Sequence, residues 1–174
     1  AYDAFIESYQ QPHHVSIKVN TNKIAPETFK SIFPFALEPV PWTTDGFYCD
    51  LEAAISKHPY FQAGLYYIQE PSAMSPVNVL RPKVGDFCLD LCAAPGGKSM
   101  QISNFIKDEG LLVSNDIHEN RVKAILRNAE RFGLRNILIL NDQPQQIEKV
   151  IGPVFDAILI DAPCSGEGMF IKDD

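Results

Sequence analysis

Residues 87–99 read FCLDLCAAPGGKS: a nearly continuous apolar run, FCLDL, passes straight into a turn carrying Pro95, Gly96 and Gly97 and then into a helical stretch. Working outward, the same grammar repeats downstream. LLVSN at 111–115 precedes a long helical pattern at 118–132, NILIL at 136–140 precedes a shorter one, and FDAILID closes the series at 155–161. Strands alternating with helices specify a parallel sheet built from βαβ units, and strands this apolar have both faces covered. In the long helix Val122, Ile125, Leu126 and Ala129 recur at helical spacing, and Gly133 ends it. The fold class is therefore α/β with a Rossmann-like sheet. Residues 155–160 read as an interior strand, yet only 14 residues follow, too few for the helix and strand that would cover a free edge. The expectation is an incomplete sheet of four strands, in a chain cut short.

Upstream of this block the pattern is less regular. SIKVN at 16–20 reads as a strand, and 26–33 as a helix opened by Pro26 with Phe29, Ile32 and Phe33 on one face. Extended pieces follow at 40–43 and 46–49. Prolines at 59, 71, 76 and 82 then surround Tyr60, Phe61, Tyr66 and Tyr67, as in a linker with a short helix. The reading divides the chain into a small α/β domain at 1–59, a linker and lead-in helix at 60–85, and the larger sheet domain at 86–174.

With 45% hydrophobic and 21% charged residues the composition is globular, and 174 residues can bury one sizeable core. No apolar run approaches the roughly 20 residues of a membrane span, and AYDAFIESYQ lacks the basic start and apolar centre of a signal peptide. Four cysteines without metal-ligand spacing point to no metal and to a reduced, cytoplasmic setting. A net charge of −7 argues against holding nucleic acid by bulk electrostatics, so any RNA affinity is local or comes from elsewhere.

Ligands of open α/β sheets bind at the carboxyl ends of strands, and the turn after FCLDL stands there. Gly96 and Gly97 let the backbone approach a ligand while a helix N-terminus offers free N–H groups; an ordinary βα turn is the plainer alternative. A phosphate loop fits Gly97, Lys98 and Ser99 but has Cys92 where its first glycine belongs, and two adjacent glycines do not make a dinucleotide fingerprint. A nucleoside without pyrophosphate remains. Asp116 ends the second strand 19 positions after Gly97, close to the spacing at which an acid meets a ribose hydroxyl pair. The adenosine of S-adenosylmethionine suits that placement. Asp142, just past the third strand, either caps the adenine or is a solvated turn aspartate. The fourth strand ends in DAPCSGEG, which brings Asp161 and Cys164 to the same crevice as Lys98 and makes the Cys164 thiol a candidate for catalysis.

The motifs DLCAAPGGKS, NDIHENRV, ILND and DAPCSGEGMF resemble, in order, the cofactor and active-site motifs of the RNA (cytosine-5) methyltransferases of the Nop/Sun class. SIKVNTNK, PVPWTTDGFY and GLYYIQEPSAM look like the N-terminal domain and lead-in of its bacterial small-subunit ribosomal RNA members. The likeness runs from about Ser16 to the end. It implies a class I methyltransferase sheet using S-adenosyl-L-methionine, with Cys92, Ala93, Ala94, Pro95, Gly96, Gly97 and Lys98 cradling the methionine end, Asp116 on the ribose and Asp142 on the adenine. Asp161 would sit between cofactor and cytosine, Lys98 would contact the base, and Arg121 is read as pairing locally with an acid. Where the family usually has a basic residue after Phe170, this sequence has Ile171.

Carbon 5 of cytosine is too poor a nucleophile to attack a sulfonium methyl unless a cysteine thiolate first adds to carbon 6. The residues alone nominate Cys164 for that attack. The resemblance instead implies a second cysteine on a later strand as attacker and gives the Pro-Cys thiol a part in product release; no cysteine follows Cys164. The expected partner is ribosomal RNA presenting an unpaired or flipped cytosine. Three rivals are weighed: an amino-group methyltransferase, which wants an aromatic where Cys164 stands; a methyltransferase of tRNA; and a non-catalytic cofactor- or RNA-binding fragment.

Overall fold

The computed structural model describes residues 2, 15–49 and 54–163, which form two four-stranded sheets. The first is antiparallel, in the order β2-β3-β1-β4, from β1 (Val15–Val19), β2 (Leu37–Pro39), β3 (Gly46–Cys49) and β4 (Tyr66–Ile68). Helix α1 (Pro26–Ile32) packs on it through Phe29, fully buried, and Phe33, while Ile32 is exposed. Ile17, Val19, Phe47, Ile55 and Tyr66 complete this core, and the Phe29 and Phe33 rings stack at 4.8 Å. Full burial of such a ring contributes about 1.5–3 kcal/mol.

Two expectations are corrected here. Residues 40–43 form a turn, closed by the Thr43 N–H donating to the Val40 carbonyl at 3.2 Å, and the strand lies just before it. Pro41 lacks an N–H for the ladder, so pairing stops there. The lead-in also contains an unanticipated strand, β4, which pairs with β1 beyond the short helix α2 (Pro59–Gln62). Three residues are too few for alternation to show.

The second sheet is parallel, in the order β7-β6-β5-β8, built from β5 (Phe87–Asp90), β6 (Leu111–Asn115), β7 (Ile137–Leu140) and β8 (Ala157–Leu159). This is the Rossmann-like arrangement, with the chain reversing direction across the sheet between β5 and β8. Helices α3 (Ser75–Leu80) and α4 (Gly97–Ile106) cover one face through Val77, Ile102 and Ile106. On the other, α6 (Pro144–Ile151) places Ile147 against Leu89 and Val113. Helix α5 (Glu119–Phe132) packs along β7 and buries Ile125, Ala129 and Phe132, whereas Leu126 is exposed. β8 is shorter than its apolar pattern suggested and stands at an edge among the described residues, with Ile158 and Ile160 exposed. No described helix is long and apolar enough to cross a membrane.

The two sheets meet across α4, which is buried on nearly every side. Gln101, Ser103 and Asn104 face the N-terminal unit and the lead-in and are bonded there: Asn104 donates to the Val19 carbonyl at 3.0 Å, Asn22 to the Ser103 carbonyl at 3.1 Å, and Gln101 to Gln69 Oε1 at 2.7 Å. Each of the two buried amides of α4 is held by its nitrogen, while Gln101 Oε1 and Asn104 Oδ1 lack a hydrogen-bond partner.

Candidate cofactor and base-binding site

The turn between β5 and α4 takes its shape from its residue types. Gly96 caps α4 at φ +110°, a left-handed conformation that side chains resist, and the Ala94–Pro95 bond is cis. A Cβ on Gly97 would fall 2.6 Å from the Tyr67 ring, so only glycine lets the lead-in lie against the helix start. Beneath the turn, Ser99 donates to Asp90 Oδ2 at 2.7 Å and lies 2.9 Å from the Ser114 hydroxyl. Asp90 is fully buried with its other oxygen unpartnered, and that burial pushes its carboxyl up to about 6, against the opposing influence of Ser99 and Lys98.

A cleft of about 180 Å³ opens between this turn and the lead-in. Cys92, Ala93, Ala94, Pro95, Gly97 and Lys98 form one wall, Tyr67, Gln69 and Glu70 the other, and Asp161 closes it from the end of β8. Lys98 Nζ and Asp161 Oδ2 form an ion pair at 2.6 Å, joining the carboxyl ends of β5 and β8. Burial holds the Cys92 thiol above its usual range, with Asp116 and Asp90 adding to the effect and Arg121 opposing it.

Asp116 and Asp142 stand apart from that cleft lining, on the neighbouring strand ends. Asp116 is 2% exposed; its Oδ1 accepts the His118 N–H at 3.0 Å, and its Oδ2, lacking a hydrogen bond, lies 3.4 Å from Arg121 Nη1. Arg121 thus pairs with an acid, and it also donates to the Ala94 carbonyl at 3.0 Å. The Asp142 side chain is exposed while its backbone is tied to Asn115. Cys164 lies outside the described residues.

The sequence model of the family 16S rRNA methyltransferase RsmB/F matches residues 77–174, more than half of the chain, and that of the N-terminal domain of 16S rRNA methyltransferase RsmF matches residues 1–71. The chain belongs to the RsmB/F family of 16S rRNA methyltransferases. It is 42% identical over 182 residues to the ribosomal RNA small subunit methyltransferase F of Vibrio vulnificus (strain YJ016), and 37% identical over 179 residues to that of Serratia proteamaculans (strain 568). It covers 38% and 37% of those proteins and 99% and 98% of itself. Among solved structures, a methyltransferase homolog protein from Pyrococcus horikoshii superposes with a TM-score of 0.85 at 33% identity, over 97% of this chain and 56% of that one. NSun6 from the same organism shares the fold, with a TM-score of 0.80 at 20% identity over 93% of this chain and 66% of that one.

Sequence reading missed several groups in this RsmB/F chain. Asp90 reads as part of a strand and Ser99 as the end of a poorly fitting phosphate loop, although an acid in an apolar strand is itself a signal. Tyr67, Gln69 and Glu70 lie within the quoted GLYYIQEPSAM stretch, but no local pattern puts them at the cleft, because a three-residue strand and a tertiary contact bring them there. Asn115 looked like the polar end of a strand and proves to be fully buried.

Proposed function

We propose that this chain forms the S-adenosylmethionine-binding part of an enzyme that methylates carbon 5 of cytosine in small-subunit ribosomal RNA. S-adenosylmethionine is the cofactor of the family, and the chain fits it: at the end of β6 stands an acid whose buried Oδ2 accepts no hydrogen bond and is met by Arg121 at 3.4 Å, beside a turn whose glycines leave the backbone bare. Residues 92–98 hold the methionine end, Asp116 the ribose and Asp142 the adenine. When bound, the cofactor supplies an electrophilic methyl group.

The Lys98–Asp161 pair across the cleft carries the catalytic reading. A cytosine entering the cleft meets a cation and a carboxylate at hydrogen-bonding distance from each other. Lys98 can donate to the base carbonyl, where charge gathers as a thiolate adds to carbon 6, and Asp161 can accept from the exocyclic amine. Those two contacts fix the ring and stabilise the electron-rich state in which carbon 5 attacks. Loss of the carbon 5 proton then breaks the carbon 6–sulfur bond, with Cys164 assisting release. In this reading, as the family resemblance implies, the attacking cysteine is a second one on a later strand and not one of the four of this chain. We place the division of labour as a small N-terminal unit, a lead-in that walls the cleft, and the sheet that binds cofactor.

The test is methyl transfer by the full-length gene product from radiolabelled S-adenosylmethionine to small-subunit ribosomal RNA, with the modified nucleoside identified by mass spectrometry. 5-Methylcytidine is expected, and labelling that disappears with Lys98→Met. An N4-methylated product, or label confined to tRNA, would overturn the proposal.

A further inference from the structure

Helix α5 grips the glycine turn from behind. Arg121 and Asn128, two helical turns apart and so on one face, donate to consecutive carbonyls: Arg121 to Ala94 at 3.0 Å and Asn128 to Pro95 at 2.7 Å. Between them the backbone of Ile125 lies under Gly96, where a Cβ would be 3.6 Å from the Ile125 Cα. In a trans peptide the C=O and the following N–H point to opposite sides, so anchoring the Pro95 carbonyl to α5 aims the Gly96 N–H away from that helix.

Asn128 can present either its oxygen or its nitrogen to Pro95, and only the nitrogen bonds. Arg131 decides which. Its Nη1 donates to Asn128 Oδ1 at 3.2 Å, and because a guanidinium has donors only, it holds the amide oxygen on its own side and leaves Nδ2 for Pro95. Arg131 is in turn seated on the N-terminal unit, with its guanidinium carbon 4.4 Å from the centroid of the Phe61 ring. The end of α5 is clamped there as well: Lys23 donates to the Arg131 carbonyl at 2.8 Å and Asn20 to that of Phe132 at 3.2 Å.

We propose that Asn128 is a positioning residue for the cofactor turn, oriented by Arg131 on Phe61, so that the N-terminal unit sets cofactor affinity through α5. This rests on the reading that S-adenosylmethionine binds at the turn. Neither Asn128 nor Arg131 lines the cleft, and their effect is on the peptide between Pro95 and Gly96.

Calorimetric titration with S-adenosylmethionine tests it, alongside thermal unfolding of each variant. Asn128→Asp, near-isosteric and still a partner for Arg131, sets an acceptor against the Pro95 carbonyl; it weakens binding about five- to tenfold, the worth of one hydrogen bond, while the unfolding temperature stays near that of the parent. Arg131→Ala weakens binding about threefold, and the Asn128→Ala/Arg131→Ala double variant binds no worse than Asn128→Ala alone, because the two act in series. Phe61→Leu, which keeps the apolar contact and removes the ring face, shifts affinity in the same direction and covers the case in which a helix variant does not fold. Parent-like affinity in Asn128→Asp or Phe61→Leu, or additive losses in the double variant, would overturn the inference. A parent chain that binds no cofactor would remove the cofactor reading, and this inference with it.

Discussion

Asn115 and Asp142 are joined by two hydrogen bonds between the side-chain amide of the first and the main chain of the second, at 2.9 and 3.0 Å. The same amide donates to the Leu91 carbonyl at 3.1 Å. One fully buried side chain therefore ties together the ends of β5, β6 and β7, which carry the glycine turn, the proposed ribose acid and the proposed adenine acid.

Asn115→Ala would leave the Leu91 carbonyl and both Asp142 main-chain groups short of a partner. A loss of about 1–3 kcal/mol in urea unfolding is expected, with weaker cofactor binding because the three strand ends lose their common register. Stability within about 0.5 kcal/mol of the parent would show that the strands hold their spacing without the amide.

Asp116→Ala should abolish cofactor binding in calorimetry. The substitution also frees Arg121 from its 3.4 Å contact, so Asp116→Asn, which keeps an acceptor for the His118 N–H, separates loss of the turn from loss of the ribose contact. Unchanged affinity in both variants would withdraw the ribose assignment.

Asp90 gives the pH dependence of stability a definite sign. Its carboxyl titrates near 6 in the folded chain, above the ordinary 3.8, so folding favours the protonated form. Stability from this group falls as pH rises from about 4 to about 6 and stays reduced above, by on the order of 3 kcal/mol. Asp90→Asn retains an acceptor for Ser99 and removes the titration. Its melting temperature should exceed the parent's at pH 7.5, with the gap closing towards pH 4.5. A gap that does not vary with pH would contradict the assignment.

Cys164→Ala in the full-length protein should trap a covalent enzyme–RNA complex, visible as a band retarded in denaturing gels, because release fails while attack by the other cysteine proceeds. If no covalent complex forms, Cys164 is the attacker.

The parallel sheet was legible because its strands are apolar on both faces and its helices carry their own stop signals. Gly133 closes α5 by accepting a left-handed conformation, and the Phe29 side of α1 shows in its spacing. The turn was legible too, since Gly96 and Gly97 are demanded by local backbone shape and close approach. The faces of α4 and α5 were not. Gln101, Ser103 and Asn104 look like a solvent face and are buried, because the N-terminal unit supplies their partners from far along the chain. Leu126 looks like core and is exposed, because its inward neighbours are Ile125, Ala129 and Phe132.

The sequence by itself determined the alternation of strands and helices in the parallel sheet, the place of the glycine turn and the family motifs, since these follow from short-range periodicity and from residues that permit only certain backbone shapes. Only the tertiary structure decided that β4 joins the first sheet, that Tyr67 walls the cleft, that Lys98 meets Asp161, and that Asn115 and Asn128 hold the turn from two sides. Those contacts bridge residues up to 63 positions apart, as between Lys98 and Asp161, and the side chains that make them are chosen by where packing brings the backbone rather than by any local pattern.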